Sequence, residues 1–250
     1  MAQLVVALDV PDATGAEQTI DALYELDCIC KIGLEALYGY GERILAYCEA
    51  RDVRTFLDVK VHDIPRTAAA AVRALVRPGV QIVNVHALGG VEMMRAAVEA
   101  ARERAGELGV TPPLVFAVTL LTSLAAEDLG ELGLQGGPAE NAMRLAALAR
   151  DAGCDGVICS AQEVRDLKAF FGRDFLTLTP GIRPAGDAYG DQKRVATPAD
   201  AVRAGADYLV VGRPILAAAD PHAAARAILA EMRAAEREMH DTQGTAAPPA

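Results

Sequence analysis

The 250-residue sequence predicts an α/β protein built as a single (β/α)8 barrel of the TIM type. Three observations lead there. Short β-branched runs alternate with Ala-, Leu- and Arg-rich segments of helical period along the whole chain, as βα units around a parallel sheet do. Eight such units can be counted, the number that closes a barrel in about 250 residues. Polar residues recur where the strands end, at the rim where barrels of this kind gather their functional groups.

The first strand, Leu4–Asp9, turns Leu4, Val6 and Leu8 toward the helices and Val5, Ala7 and Asp9 toward the interior, so Asp9 ends it at the mouth. Helix Ala13–Leu26 follows. The second strand, Cys28–Gly33, places Ile29, Lys31 and Gly33 inward and Cys28, Cys30 and Ile32 outward, ahead of helix Tyr40–Arg51. In the third, Thr55–Val61, Asp58 and Lys60 point one way and Leu57, Val59 and Val61 the other, and Pro65 starts a helix reaching Val76. The remaining units are Gln81–His86 with helix Val91–Glu107, Leu114–Thr119 with Ala139–Asp151, and Gly156–Ser160 with Ala161–Phe171. Phe175–Pro180 with Pro198–Ala204, and Tyr208–Gly212 with His222–His240, complete the eight. Two connections, Leu120–Pro138 and Gly181–Thr197, are longer than a barrel needs and fall at the mouth, where long ordered loops are commonly lids. The barrel domain is expected to span residues 1–240, and Asp241–Ala250, without period or apolar face, to be a disordered tail.

With 52% hydrophobic residues and no Trp, the chain can bury a large aliphatic core. The net charge of −10 argues against non-specific nucleic-acid binding, so any anionic ligand must be held by local basic groups. No apolar run approaches the roughly 20 residues of a membrane span. The start, Met1-Ala2-Gln3-Leu4, lacks the basic segment and cleavage pattern of a signal peptide, so a cytoplasmic protein is expected. Cys28, Cys30, Cys48, Cys154 and Cys159 lie mostly within apolar segments and read as reduced core residues. No Cys or His cluster completes a metal set around Cys28 and Cys30.

The chain is organised around Asp58-Val59-Lys60-Val61-His62-Asp63-Ile64-Pro65-Arg66-Thr67, where two acids and a lysine sit at the end of a buried strand. Burying an isolated charge costs several kcal/mol, so such groups belong together only if each supports the next. Lys31, Asp58, Lys60 and Asp63 form an alternating set of cations and anions. Mutual attraction would keep all four charged at neutral pH, giving a fixed electrostatic field that contains a proton donor. The plainer reading is an ion-pair plug in the barrel mouth, with Asp63 capping the helix that Pro65 starts.

Gly181, Arg183, Gln192, Gly212 and Arg213 follow strands seven and eight, where backbone N–H groups of barrels recurrently bind phosphate. Val210-Val211-Gly212-Arg213-Pro214 fits a strand end, a close backbone approach and a new helical turn. Taken alone, it says only that a small phosphorylated ligand is bound. Thr119, Thr122 and Ser123 offer hydroxyl or backbone groups to a ring, or serve the turn. His86 reads as a supporting residue.

These motifs together resemble those of the orotidine 5′-phosphate decarboxylase family. The resemblance runs from Ala7-Leu8-Asp9 through Lys31-Ile32-Gly33, Asp58–Thr67, Asn84-Val85-His86-Ala87, Leu121-Thr122-Ser123, Thr179–Arg183 and Asp191–Arg194 to Val211-Gly212-Arg213. It implies decarboxylation of orotidine 5′-phosphate to uridine 5′-phosphate (UMP), the last step of pyrimidine nucleotide synthesis, without metal or cofactor. By the same resemblance Asp9 and Lys31 bind the ribose, Lys60 is the proton donor and Asp58 faces the departing carboxylate. Thr122 contacts the pyrimidine, and Arg183, Gln192, Gly212 and Arg213 hold the phosphate region. A homodimer is implied in which Asp63, Ile64 and Thr67 reach the neighbouring site. Arg66 stands where many members carry Asn or Thr. Two alternatives remain: a metal-dependent sugar-phosphate decarboxylase or aldolase of the same barrel group, and a non-catalytic nucleotide-binding barrel. The first would carry an acid where this chain has Lys31, and the second would have no use for Lys60 between two acids.

Overall fold

The computed structural model describes residues 1–185 and 195–244, without the side chains of 242–244. Eight parallel strands form a closed barrel in sequence order, with the eighth paired back to the first. The strands are β1 (Gln3–Ala7), β2 (Cys28–Gly33), β3 (Thr55–Val61), β4 (Val80–His86), β5 (Leu114–Val118), β6 (Gly156–Ile158), β7 (Leu176–Thr179) and β8 (Tyr208–Val211). Helices α1 (Ala13–Leu23), α2 (Leu34–Glu49), α3 (Pro65–Leu75), α4 (Gly90–Leu108), α6 (Pro138–Asp151), α7 (Ala161–Phe171), α8 (Pro198–Ala204) and α10 (Pro221–Gly244) follow strands one to eight. Two short ones, α5 (Ala126–Glu131) and α9 (Arg213–Leu216), lie in the connections after β5 and β8.

The inward and outward sides of β1 and β2 match the alternation in the sequence. Leu4, Val6, Leu8, Cys28, Cys30 and Ile32 belong to the layer between sheet and helices. Val5, Ala7 and Ile29 join Phe56, Ile82, Phe116, Tyr208 and Val210 inside the barrel. Phe116 meets Tyr208 edge to face at 5.6 Å, filling the axis. Gly156 makes room for this packing. A Cβ there would lie 2.8 Å from the Phe116 ring and 2.2 Å from the Leu176 carbonyl oxygen. All five cysteines are free and buried, and burial pushes Cys48 up to about 11 and Cys154 up to about 12, keeping both thiols protonated.

Local chemistry sets the helix starts. The Asp12 carboxylate accepts the Gly15 N–H at 2.9 Å ahead of α1, and Ser160 and Glu163 form a reciprocal capping box at α7. At the opposite face from the mouth, Asp207 accepts the Thr177 N–H at 2.7 Å and the Lys168 ammonium at 2.6 Å, joining β7, α7 and the approach to β8.

Several boundaries differ from the sequence reading. Helix α2 begins at Leu34 rather than Tyr40, because non-helical backbone at Tyr40 (φ −154°, ψ 27°) kinks one helix instead of starting it. The Tyr40 hydroxyl donates to the Val10 carbonyl at 2.9 Å. The connection after β5 is not plain loop: α5 forms there, with Asp128 accepting the Ala125 N–H at 2.6 Å and Leu129 buried. Helix α10 continues to Gly244, so the first residues of the expected tail extend the last helix.

Candidate active site

Asp58 is the hub of the mouth. It is 9% exposed. Its Oδ1 accepts the Lys60 ammonium at 2.6 Å and the Asn84 amide at 2.8 Å, while Oδ2 lies 3.3 Å from the Lys31 ammonium. Lys31 continues the alternation, with its Nζ 3.2 Å from Asp9 Oδ1. Burial by itself pushes the Asp58 carboxyl up. The Lys31 and Lys60 charges, with the bonds from Lys60 and Asn84, outweigh it and hold the group below the usual carboxylate range. The array is therefore Asp9, Lys31, Asp58, Lys60. Its solvated ends are the half-exposed Asp9 carboxylate and the one-third-exposed Lys60 side chain.

Asp58 and Lys60 meet by a different route from simple strand alternation. The β3–β4 pairing steps from Leu57 opposite Val83 to Val61 opposite Val85, so four steps of one strand face two of the other. Within this bulge Lys60 has φ +49°, a left-handed conformation rare for a side chain of its size. Its N–H donates to Asn84 Oδ1 at 2.7 Å. Leu57 and Val61 pack on the helix side as expected, but Val59, expected beside them, lies inside the bulge.

Asp63 does not join the array within this chain. The backbone leaves the barrel after Val61, and the exposed Asp63 carboxylate accepts the Ile64 N–H at 2.7 Å. Nor does it cap α3, whose N-cap position is Ile64 with Pro65 at the first turn. Asp63, Ile64 and Thr67 all lie on the exposed surface beside the mouth, Ile64 at 63%.

A cavity of about 290 Å³ opens above the packed barrel axis. Lys31, Asp58 and Lys60 form its charged wall, Val118, Leu120, Ile158, Leu178, Pro180 and Val210 its apolar one, and Thr122 and Ser123 close one side. A flat heterocycle with one polar edge suits such a space. Thr119 does not line it: the residue is fully buried, its hydroxyl donating to the Ile158 carbonyl at 3.0 Å.

Gly212 lies beside Asp9, a Cβ placed there standing 3.7 Å from Asp9 Oδ2. Arg213 is exposed at the start of α9, and Arg183 donates to the Ile182 carbonyl at 2.9 Å; neither lines the cavity. Gly181, at φ +80°, takes the Ala196 N–H on its carbonyl, and Arg183 N–H donates to Ala196, so main-chain bonds join the two described sides of the connection after β7. Gln192 and most of that connection, including the lid expected there, lie outside the described residues.

His86 stacks on His62 at 5.3 Å, and its buried Nδ1 has no hydrogen-bond partner among the described residues. Burial, then the charges of His62 and Lys60, push its pKa down to about 4, so the ring is neutral. Sequence reasoning assigned no role to Asn84. The signal was a polar amide at an inward position of a buried strand, which must find partners there.

The family model described as Orotidine 5′-phosphate decarboxylase / HUMPS family matches residues 2–228. An orotidine 5′-phosphate decarboxylase of Moorella thermoacetica is 49% identical over 231 residues, covering 92% of each chain. One from Halorhodospira halophila is 51% identical over 233 residues, covering 93% of this chain and 97% of the relative. Among solved structures, the orotidine 5′-phosphate decarboxylase of Lactobacillus acidophilus superposes with a TM-score of 0.80 at 37% identity, covering 93% of this chain and 99% of that one. An uncharacterized conserved protein from Geobacillus kaustophilus gives 0.80 at 35% identity, over 92% and 99% of the two chains.

Proposed function

The chain belongs to the orotidine 5′-phosphate decarboxylase / HUMPS family, and from that premise we propose that it converts orotidine 5′-phosphate to UMP and CO2 at the cavity bounded by Lys31, Asp58 and Lys60. The observation that carries this reading is the Lys60 ammonium held 2.6 Å from a buried Asp58, on the charged wall of a cavity that also has an apolar wall.

The reaction breaks the bond from pyrimidine C6 to its carboxylate carbon, and the electron pair stays on C6 as CO2 leaves. That pair lies in the ring plane, where the π system cannot delocalise it. The stabilising charge must therefore be a fixed cation at C6, which is the role of the Lys60 ammonium. The same group then gives its proton to C6, completing UMP, and regains one from solvent. Asp58 holds the Lys60 ammonium in place at 2.6 Å and stands against the departing carboxylate. Asp9 and Lys31 take the ribose hydroxyls, Thr122 the pyrimidine edge, and Arg183, Gly212 and Arg213 the phosphate region. Phosphate contacts far from C6 supply binding free energy that the reacting centre can use.

The homodimer belongs to this proposal: Asp63, Ile64 and Thr67 complete the site of a second copy, a reading supported by the exposure of all three. A metal-dependent sugar-phosphate reaction fits less well, because the Lys31 ammonium stands between Asp9 and Asp58, where a divalent cation would need those acids. Loss of orotidylate absorbance on adding the protein, undiminished by EDTA, is the expected result. An activity lost in EDTA and restored by Mg2+ would favour the metal-dependent reaction.

A further inference from the structure

Lys60 adopts a backbone conformation that side-chain-bearing residues avoid, and such conformations persist only where their surroundings over-determine them. The surroundings here come from one residue of the neighbouring strand. The bulge leaves the Lys60 N–H without a ladder partner, and the fully buried Asn84 supplies one, Oδ1 accepting it at 2.7 Å. The other end of the same planar amide donates to Asp58 Oδ1 at 2.8 Å, the oxygen that also receives the Lys60 ammonium at 2.6 Å. Backbone N–H, amide, carboxylate and ammonium thus close into a ring. We propose that Asn84 is a positioning residue for decarboxylation, locking the left-handed turn at Lys60 and the Asp58 carboxylate into one frame that aims the ammonium at C6.

This inference rests on the decarboxylase reading and adds a requirement to it. An amide is the group that fits, because it offers an acceptor and a donor on one rigid plane. Displacing a catalytic group by about 1 Å costs on the order of a hundredfold in rate, so freeing the turn should be felt in kcat before it is felt in binding.

Two variants separate the frame from mere support of the fold. Asn84→Ala removes both bonds and should lower kcat roughly tenfold to a hundredfold, with KM changed far less. Asn84→Asp keeps an acceptor for the Lys60 N–H. Its new carboxyl, while protonated, can still donate to Asp58, but once ionised it sets two anions against each other. Activity of Asn84→Asp should therefore be near that of wild type at low pH and fall along a reversible limb as pH rises, displaced to lower pH than any limb of wild type. Both variants are assayed by orotidylate absorbance across pH, with thermal unfolding confirming folded protein at each point. An Asn84→Asp profile parallel to that of wild type, or an Asn84→Ala kcat within threefold of it, would overturn the proposal. A wild-type protein that leaves orotidylate unchanged would instead overturn the decarboxylase reading itself.

Discussion

The Lys60 ammonium and the Asp58 carboxylate touch at 2.6 Å although a backbone bulge, not a regular strand, separates them. Lys60→Ala takes away both the cation at the reacting carbon and the proton source. It should lower kcat by at least about a thousandfold while the barrel stays folded, since Asp58 keeps Lys31 and Asn84 as partners. Near-native turnover by a folded Lys60→Ala protein would remove Lys60 from the mechanism.

The same residue predicts a difference between two inactive variants. Lys60→Gly and Lys60→Ala lack the same ammonium, but only glycine adopts φ +49° without penalty. Lys60→Gly should therefore be the more stable by about 1 kcal/mol, readable as the difference in urea midpoint at equal slope. Equal midpoints would mean that the turn relaxes when the side chain is lost.

Gly33 is small because of what lies above it. A Cβ there would stand 3.0 Å from the Lys31 ammonium and 3.6 Å from Asp9. With φ at −91°, Gly33→Ala carries no backbone strain and acts through the shift it forces on Lys31. Substrate KM should rise severalfold with little change in thermal stability. An unchanged KM would show that Lys31 has room to move without consequence.

His86 makes stability depend on pH. Its folded pKa of about 4 lies below the ordinary 6.5, so the unfolded chain takes up this proton first as pH falls. The stabilisation is complete above about pH 6.5 and is lost as pH falls toward about 4. It amounts to the order of 1 kcal/mol once solvent screening of a partly exposed ring is allowed for. Asp58, lowered rather than raised, acts further down: its contribution is present above the ordinary carboxylate value and lost as pH falls through its folded value. His86→Gln should flatten the upper part of the unfolding profile and leave the lower part intact. A variant profile parallel to wild type from pH 6.5 to 4 would contradict this.

Asp63 tests the proposed dimer. If it serves the neighbouring copy, a mixed dimer of Lys60→Ala and Asp63→Ala chains has one site with both native residues and one with neither. Each variant alone should be severely impaired, and an exchanged equal mixture should recover roughly a quarter of wild-type activity per chain. Verified exchange without recovery would place Asp63 in its own chain's chemistry, or in none.

Sidedness of the strands was legible because alternation is a local property of the chain. It placed Lys31 and Ile29 inside and Cys30 and Ile32 outside without knowledge of any partner strand. The bulge at Lys60 was not legible, since it exists only as a mismatch between β3 and β4. Asn84 escaped for the same reason: its importance lies in the register that puts its amide beside Lys60. Asp63 continues the charge alternation in the sequence, but the chain has turned out of the barrel by then, so its carboxylate lies outside the array of its own chain. The start of α2 was obscured by Tyr40, whose kink hides one helix behind a pattern that begins late.

The Phe116 and Tyr208 rings, with Phe56 and Ile82, make the barrel a cul-de-sac, its far end stoppered by hydrocarbon. Among the described residues, the mouth is the doorway of such a vessel. On the proposed chemistry, the incoming nucleotide and the outgoing one contend for the same passage, and UMP left in place bars the next arrival. Feedback of product on turnover, simple competition in form, then needs no separate regulatory apparatus: it is a consequence of plumbing.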